Sequence, residues 1–270
     1  MTDELSWVPP GVDTKRANVA RVYDYWLGGT HNFLADQDLA RSIAAVVPAV
    51  RQAARDNRAF LGRAVRFLAA SGIRQFLDIG SGIPTEGNVH EIASEVSPGA
   101  RVVYADNDQV AVAHSRVILT GNPDAAVIEA DLRKPREILS SARVRELIDF
   151  GQPAGLLVNM VLHFIDDSEG PWQIIATLRD ALAPGSYLIL GHLTDENMPK
   201  VAHAAEKVYN RGVATNVHLR SRADILRFFD GFDLVDPGLV YIPHWRPDSP
   251  GDVPEDDSRS WALAGVGCRR

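Results

Sequence analysis

The chain has 270 residues, of which 46% are hydrophobic and 23% charged, and it contains 5 Trp, 9 Phe and 6 Tyr. This composition is typical of a globular protein with enough apolar material for a core, which excludes wholesale disorder and collagen-like structure. The formal net charge of −7 argues against a nucleic-acid-binding protein, and the single cysteine, Cys268, excludes an internal disulfide framework and a cysteine-based zinc site.

No basic region followed by an apolar run occurs at the start of the sequence, and no stretch approaches about 18 uninterrupted apolar residues. The sequence therefore predicts neither a signal peptide nor a membrane span, and we expect a cytoplasmic protein. The expected partner is a small molecule, with no nucleic-acid and no membrane partner. The sequence does not indicate an oligomeric state.

The first 72 residues are predicted to be largely helical. Residues 1–13 contain Pro9, Pro10 and Gly11 without periodicity and are expected to form a loose arm. Apolar residues then recur at helical spacing, which predicts helices over 14–27, 35–47 and 49–70. The first of these would be capped by Asp13 or Thr14 and would end at Gly28-Gly29. We predict that residues 1–72 form a helical cap and that residues 73–270 form the ligand-binding domain, the two packing as one compact unit.

From Gln75 onward, short apolar runs alternate with helical segments, a pattern that indicates a parallel sheet with helices on both faces. The predicted strands are 75–79, 101–105, 126–130, 154–159, 186–191, 239–242 and 261–267. The predicted helices between them are 86–96, 109–119, 136–147, 171–182, 197–210 and 222–229. Only a loop rich in Pro, Asp and Ser separates the last two strands, so we predict that they pair as an antiparallel hairpin.

The clearest motif is an apolar strand that runs into a glycine-rich turn, Gly80-Ser81-Gly82, with a helix following. Ligands of open α/β sheets bind at the carboxyl ends of the strands, where glycine lets the backbone approach the ligand. A dinucleotide site would need a third glycine where Thr85 stands, and the carboxylate of Asp78 would repel a pyrophosphate. Asp78 suits a cationic ligand better. A tight connection without a ligand remains the alternative for this turn.

Acidic residues follow the next two strands of the predicted sheet. Asp106 can accept hydrogen bonds from both hydroxyls of a ribose, as in nucleotide-binding folds, while Asp108 can cap the following helix. Asp131 can accept from an adenine amine, and Leu132 can cover the face of the ring. The three strand ends together predict a ligand that contains an adenine and a ribose but no pyrophosphate.

These segments resemble class I S-adenosylmethionine-dependent methyltransferases, and most closely a bacterial subfamily of predicted methyltransferases whose substrates are largely unassigned. The resemblance covers nearly the whole chain and is carried by RVYDYWLGG (21–29), NRAFLGRAVRFL (57–68), QFLDIGSGIPTEGNVHEIA (75–93), VVYADNDQV (102–110) and LLVNMVLHFIDD (156–167). The subfamily usually continues its double glycine with Lys-Asp-Asn-Phe, whereas this chain has Thr30-His31-Asn32-Phe33.

The resemblance implies a doubly wound, Rossmann-like α/β fold with a seven-stranded, mostly parallel sheet whose last strand is antiparallel. It implies S-adenosylmethionine as the cofactor and S-adenosylhomocysteine as the product. The methionine part would then lie along Gly80, Ser81 and Gly82, and the ribose would bind Asp106.

Further cofactor contacts follow from the same resemblance. Asn107 would lie beside the adenine, which Asp131 and Leu132 would hold. Asn159 and Met160 would face the cofactor near the reacting centre.

The amino-terminal aromatic cluster has two interpretations. In the first, which we favour, Tyr23 and Trp26 pack on the core. In this interpretation a lid over the cofactor is formed by Tyr25, Gly29, Asn32 and Phe33, since aromatic faces attract a sulfonium. In the second, the segment is a plain helix end. Arg58 could likewise clamp the methionyl carboxylate, or could lie on a solvated helix face.

His163 and His192 follow two neighbouring strands, and either could act as a base near neutral pH. The alternative for each is a hydrogen bond to a nearby loop carbonyl. We favour that alternative for His192, which leaves His163 as the candidate catalytic residue. No set of His, Asp and Glu has the spacing of a helical metal motif, so no metal is predicted.

The predicted function is therefore S-adenosylmethionine-dependent methyl transfer to the oxygen or nitrogen of a small molecule. One alternative is a protein that binds this cofactor or its demethylated product without catalysis, for example as a sensor. A second alternative, an NAD-dependent oxidoreductase, is disfavoured by Thr85 and Asp78.

Overall fold

The described part of the computed structural model comprises residues 8, 12–84, 87–213, 215–255 and 260–270. Its central sheet contains eight strands, which are β1 (Gln75–Ile79), β2 (Arg101–Asp106), β3 (Ala125–Glu129), β4 (Gly155–Asn159), β5 (Tyr187–Leu193), β6 (Phe232–Leu234), β7 (Val240–Tyr241) and β8 (Ala262–Arg269). The strand order is β3-β2-β1-β4-β5-β8-β6, and β7 pairs with β8 beside β6. Strands β1 to β5 run parallel, whereas β8 runs antiparallel to β5, β6 and β7.

This topology confirms the predicted α/β sheet with an antiparallel last strand and corrects the number of strands. Two short strands, β6 and β7, lie end to end along the outer edge of β8, in the seventh place of the strand order. Leu234 of β6 pairs with Gly267, and Val240 of β7 pairs with Ala264. Pro237, which has no amide hydrogen to donate to a ladder, lies between these two strands. Strand β6 was missed because it spans only 3 residues, too few for an alternating pattern to show.

The described helices are α1 (Val19–Leu27), α2 (Leu34–Val46), α3 (Val50–Ala70), α4 (Val89–Val96), α5 (Gln109–Ile118), α6 (Pro135–Ser140), α7 (Ala142–Leu147), α8 (Pro171–Ala181), α9 (Pro199–Gly212) and α10 (Arg222–Leu226). Helix α1 begins later than predicted because the side chain of Asn18, and not Asp13 or Thr14, caps it by accepting from the Ala20 amide. The helix predicted over 136–147 is broken into α6 and α7 at Ser141, whose ψ of 130° is not helical.

Three of the sequence predictions concern residues outside the described part. The predicted helix start at Glu86 lies outside it, and so does most of the arm predicted for residues 1–13. Thr85, which argues against a dinucleotide turn, also lies outside the described residues. Among the helices that are described, none combines the length and the apolar character needed to cross a bilayer.

Strands β1, β2, β4, β5 and β8 are buried on both faces over most of their length, and successive side chains enter different cores. Leu77 of β1 belongs to a core that includes Ile138 of α6 and Leu178 of α8. Its neighbour Phe76 belongs to a second core with Phe60 and Leu68 of α3. Helix α3 therefore covers one face of the sheet directly, although it falls within the segment predicted to be a cap.

A third core lies above the carboxyl ends of the strands and is built from α1, α2 and α9. It includes Val22, Leu39 and Ile43 from the amino-terminal helices and Ala205 and Tyr209 from α9. We call these three helices the helical cap. The cap thus combines residues from both sides of the predicted boundary at residue 72, because α9 returns from the end of β5 to pack on α2.

Candidate active site

A cavity of about 820 Å³ lies at the carboxyl ends of β1, β2 and β4 and is also lined by the helical cap. This is the edge at which open parallel sheets bind their ligands. The predicted site residues that line it are Arg58, Gly80, Ser81, Gly82, Asp106, Asn107, Asp131, Leu132, Asn159, Met160 and His163. The strand-end motifs of the sequence therefore meet around one cavity.

The two glycines of the turn after β1 have different surroundings. Both adopt a positive φ, of 74° at Gly80 and 68° at Gly82, a region that favours glycine. A Cβ built on Gly80 would come within 2.5 Å of Val161, in the loop after β4, whereas a Cβ on Gly82 would meet nothing within 4 Å. Gly80 is therefore required by the protein's own packing, and Gly82 is the glycine that leaves space at the cavity wall.

We expect Gly82→Ala to weaken binding of S-adenosylmethionine by more than about tenfold while lowering the free energy of unfolding by about 1–2 kcal/mol. The stability cost is that of a Cβ at positive φ, and the binding cost arises because the methyl group enters the cavity. Calorimetry would measure the loss of affinity, and thermal unfolding would measure the loss of stability.

Gly99→Ala is a matched control, since Gly99 has a φ of 79°, meets nothing within 4 Å and does not line the cavity. It should reproduce the loss of stability without the loss of affinity. Equal affinities of the two variants would contradict a role for Gly82 at the site.

The carboxylate of Asp106, at the end of β2, holds the glycine turn in place. Its two oxygens accept from the backbone N–H of Gly82 at 2.7 Å and from that of Asp108 at 2.8 Å. Burial raises the pKa of Asp106 to about 6, although these two hydrogen bonds oppose the rise. Asp108 caps α5 by accepting from the Ala111 amide, as the sequence suggested.

Asp78, at the end of β1, is a second buried carboxylate at the cavity wall. Burial raises its pKa to about 7, with Arg58 opposing the rise and Asp106 adding to it. Arg58 also lines the cavity, and its guanidinium donates to the Gly87 carbonyl at 2.8 Å. Two buried carboxylates at one end of a cavity make a site that attracts a cation.

A chain of polar side chains links the cap to the sheet. The Tyr23 hydroxyl donates to the Ala54 carbonyl, the Asn57 amide donates to the Tyr23 hydroxyl at 2.8 Å, and the Asn159 amide donates to Asn57 at 2.9 Å. The side-chain amide oxygen (Oδ1) of Asn159 and the hydroxyl of Ser81 are buried and have no hydrogen-bond partner among the described residues. A ligand with N–H or O–H groups, such as the expected cofactor, would satisfy them. The sequence alone singled out neither Asn57 nor this role of Tyr23.

Met160 follows Asn159 in an unusual backbone conformation. Its φ is 56°, and its amide donates to the Gly191 carbonyl at 2.9 Å. A positive φ at a residue other than glycine is strained and is found most often where function requires a particular geometry. The chain leaves β4 at this residue, and Met160 and His163 both line the cavity.

His163 is buried at the cavity wall, in the short 3-10 helix Leu162–Phe164. Its Nδ1 has no hydrogen-bond partner among the described residues. Burial, with smaller contributions from His192, Arg220 and His218, holds the pKa of His163 well below its usual range. The imidazole is therefore neutral at neutral pH.

His192 has the structural role that the sequence favoured. Its Nε2 accepts from Arg220 at 2.8 Å, and its Nδ1 lies 2.7 Å from the Leu193 carbonyl. Because a guanidinium can only donate, Nε2 must be the unprotonated nitrogen and Nδ1 must carry the proton. Burial lowers the pKa of His192 to about 3, so the ring stays neutral.

Arg220, which the sequence did not single out, positions the loop that carries His163. It is buried and donates to the carbonyls of Leu162 at 2.9 Å and Ile165 at 2.6 Å, on either side of His163. It also forms an ion pair with Asp167 at 2.7 Å. No local pattern could identify this contact, since Arg220 follows the loop by more than fifty residues.

The amino-terminal residues expected to form a lid do not line the cavity, and their neighbours on α1 do. Tyr25 packs against the guanidinium of Arg51, 5.1 Å from the ring centre. Gly29 packs against the side chain of buried Asp24, which also accepts from the His31 amide and the Asn32 side chain. This segment is thus a turn organised around Asp24.

The face of α1 opposite Tyr25 lines the cavity, as the lid residues were expected to do. Tyr23 and Trp26, which we expected to pack on the core, line the cavity together with Val19 and Ala20, and Trp26 also packs against the core of the helical cap, as expected. Phe33 is also directed elsewhere, since the guanidinium of Arg21 lies 5.1 Å from the centre of its ring.

The described part of the chain contains no group of three or more His, Cys, Asp or Glu side chains that could hold a metal ion.

Residues 6–270 match the family model described as S-adenosyl methyltransferase. A DUF574 family protein from Streptomyces avermitilis MA-4680 is 36% identical, with a TM-score of 0.92 over 96% of this chain and 99% of that chain. A candidate methyltransferase from Thermobifida fusca YX is 40% identical, with a TM-score of 0.92 over 98% of this chain and 99% of that chain.

A more distant likeness concerns the fold alone. An O-methyltransferase family protein from Burkholderia thailandensis is 16% identical, with a TM-score of 0.53 over 85% of this chain and 59% of that chain. No curated protein matches the chain.

Proposed function

The chain belongs to the S-adenosyl methyltransferase family, and we propose that it transfers the methyl group of S-adenosylmethionine to an oxygen or nitrogen atom of a small molecule. The observation that carries this proposal is a single cavity whose wall joins the carboxylate-rich strand ends to the helical cap. The carboxylate-rich strand ends suit a cationic nucleoside, and the space beside the helical cap leaves room for an acceptor.

The strand-end residues are proposed to bind the cofactor. Asp106 would accept from the ribose hydroxyls beside Asn107, and Asp131 with Leu132 would hold the adenine. This arrangement is supported by the position of these residues on successive strand ends around the cavity.

The remaining cofactor contacts are proposed for the methionine part. The turn Gly80-Ser81-Gly82 would lie along it, with Arg58 near its carboxylate and with Asn159 and Met160 near its sulfur. Tyr25 and Gly29 are left out of this set, because neither lines the cavity.

When bound, S-adenosylmethionine supplies a methyl group that is already activated by its attachment to a positively charged sulfur. The acceptor's oxygen or nitrogen forms the new bond to the methyl carbon, and the carbon–sulfur bond breaks with its electron pair going to sulfur. The protein has to hold the acceptor in line with that bond and to exclude water. The proton that the acceptor loses passes to a base or to solvent.

We propose that His163 is the group that accepts this proton or the hydrogen bond that precedes its loss. It lines the cavity and burial holds its pKa below the usual range, so the imidazole is unprotonated at neutral pH and can accept. At saturating S-adenosylmethionine, where protonation of Asp78 and Asp106 does not limit binding, kcat should therefore begin to fall only at a lower pH than in an enzyme whose histidine base titrates at about 6.5.

His163→Gln should lower kcat by about 10²–10⁴-fold, the usual contribution of a general base. The dissociation constant for S-adenosylmethionine should change by less than about threefold. A variant with unaltered kcat would remove His163 from the reaction, whatever its effect on stability.

Two measurements test the proposed function itself. Calorimetry should show binding of S-adenosylmethionine and none of NAD, and turnover against a panel of small hydroxyl and amine compounds should release S-adenosylhomocysteine. Binding without turnover on any acceptor would favour the sensor alternative. Binding of NAD alone would contradict the assignment. The sources of the two similar structures, Streptomyces and Thermobifida, support a bacterial enzyme, and a cytoplasmic location stays a prediction.

A further inference from the structure

The part of the cavity that lies against the helical cap differs chemically from the part at the strand ends. We call it the acceptor chamber. Its wall includes the apolar side chains of Ile43, Val47, Val50, Val201, Ala202 and Ala205. Trp26 and Phe164 also line the cavity, and Tyr209 lines it from α9. An apolar wall of this kind binds a molecule by removing its apolar surface from water.

The charged groups of the cavity wall are distributed unevenly. In the described part of the lining, the guanidinium groups are those of Arg58 and Arg133. Arg133 is engaged by Glu169 at 2.6 Å and by Asp131 at 3.4 Å, and Arg58 donates to a backbone carbonyl near the glycine turn. Both lie toward the strand ends, since Arg58, on α3, reaches the Gly87 carbonyl beside the glycine turn and Arg133 follows β3.

The charged side chains that the acceptor chamber does contain are carboxylates. Asp56 accepts from Gln52 at 2.8 Å, and Glu206 accepts from His203 at 3.0 Å. Burial raises the pKa of Asp56. A carboxylate or phosphate on the acceptor would therefore lose its hydration without gaining a cationic partner among the described residues of the chamber, and it would be repelled by these groups.

We propose that the methyl acceptor is an uncharged, largely apolar molecule whose hydroxyl or N–H group lies toward His163. The inference rests on the proposed function, because it concerns the second substrate of the same site. The apolar body of the acceptor occupies the chamber between α2, α3 and α9, and its polar group lies at the boundary with the strand ends. Neutral His163 can accept a hydrogen bond from that group, whereas it cannot compensate a negative charge.

Two naphthalene derivatives with the same ring system provide the test. 1-Naphthol is uncharged at neutral pH, and 1-naphthoate is an anion of similar size. Binding of each is measured by calorimetry on the full chain saturated with S-adenosylhomocysteine. We expect 1-naphthol to bind, and 1-naphthoate to bind at least about tenfold more weakly.

A pair of variants on α9 locates the binding. Ala202 is buried and lines the cavity, whereas Ala204, two residues later, does not line it. Ala202→Phe should lower the affinity for 1-naphthol by at least about tenfold, because the ring fills the chamber, and Ala204→Phe should leave it unchanged. Both variants should bind S-adenosylhomocysteine within about twofold of the parent. If Ala202→Phe does not fold, Ala53→Phe replaces it, since Ala53 is half-buried and lines the cavity from α3.

Three results would overturn the proposal: equal or tighter binding of 1-naphthoate, no binding of 1-naphthol, or an unchanged affinity for 1-naphthol in the folded Ala202 variant. A parent protein that fails to bind S-adenosylhomocysteine would instead contradict the proposed function, so the two failures are distinguishable.

Discussion

Asp78→Asn is expected to stabilise the ligand-free protein by about 4 kcal/mol at pH 8 and to weaken binding of S-adenosylmethionine by more than about tenfold. Burial raises the pKa of this carboxyl from 3.8 to about 7. Each pKa unit corresponds to about 1.4 kcal/mol, so the ionised carboxylate destabilises the fold at pH 8. Asparagine has a similar shape and removes the buried charge, and with it the attraction for a cationic ligand.

The pH dependence of stability provides a second measurement of the same effect. Between about pH 4 and pH 7 the folded chain keeps a proton on Asp78 that the unfolded chain has lost. The stability contributed by this group is therefore complete below about pH 4 and is lost as the pH rises through 7. The wild-type protein should lose stability over this range, and Asp78→Asn should lose less.

Asp38→Asn is a suitable control for the removal of one negative charge. Asp38 is exposed and pairs with Arg41 on the surface of α2, an interaction that contributes little. This control should change neither stability nor affinity appreciably. A ligand-free Asp78→Asn protein that is less stable than the wild type at pH 8 would show that the carboxylate has a stabilising partner in solution.

Asp106→Ala is expected to reduce the affinity for S-adenosylmethionine by more than about a hundredfold. Two hydrogen bonds from ribose hydroxyls to a carboxylate are worth about 1.5–3 kcal/mol each. The substitution also releases the Gly82 amide, which Asp106 holds at 2.7 Å, so the glycine turn loses its support. Titration calorimetry on the folded variant measures the effect.

Asp108→Ala separates loss of the site from loss of a helix cap. Asp108 caps α5 but does not line the cavity, so its removal should cost about 1 kcal/mol of stability. Its affinity for S-adenosylmethionine should stay within about threefold of the parent. If Asp106→Ala bound S-adenosylmethionine with the parent's affinity, the assignment of Asp106 to the cofactor site would be wrong.

The strand-end residues could be predicted from the sequence because the relevant signals are local. A parallel strand, a turn and a helix each show within about ten residues, and parallel strands place their carboxyl ends on one edge. Gly82, Asp106 and Asp131 could thus be assigned to one cavity. The need for a glycine at position 80 could not be predicted from the sequence, because the side chain that it contacts, Val161, belongs to a loop about eighty residues later.

The orientation of α1 shows the limit of a periodic pattern. Val19, Tyr23 and Trp26 share an apolar face, and periodicity correctly indicates that this face is directed inward, although the three side chains are half-buried. It cannot indicate what buries the face, and here Val19, Tyr23 and Trp26 line a cavity. Tyr25, which the lid interpretation places at the ligand, instead packs against Arg51 and against the core of the helical cap.

By itself, the sequence determined the α/β class, the strand ends that meet at the site and the resemblance to methyltransferases, since each depends on residues close together in the chain. Only the tertiary structure decided which groups are buried there and what they contact. The pKa of Asp78 rises because distant elements exclude water from it, and Arg220 positions the loop of His163 through carbonyls more than fifty residues away. Burial and long-range contacts depend on how the elements pack, and no local pattern encodes that packing.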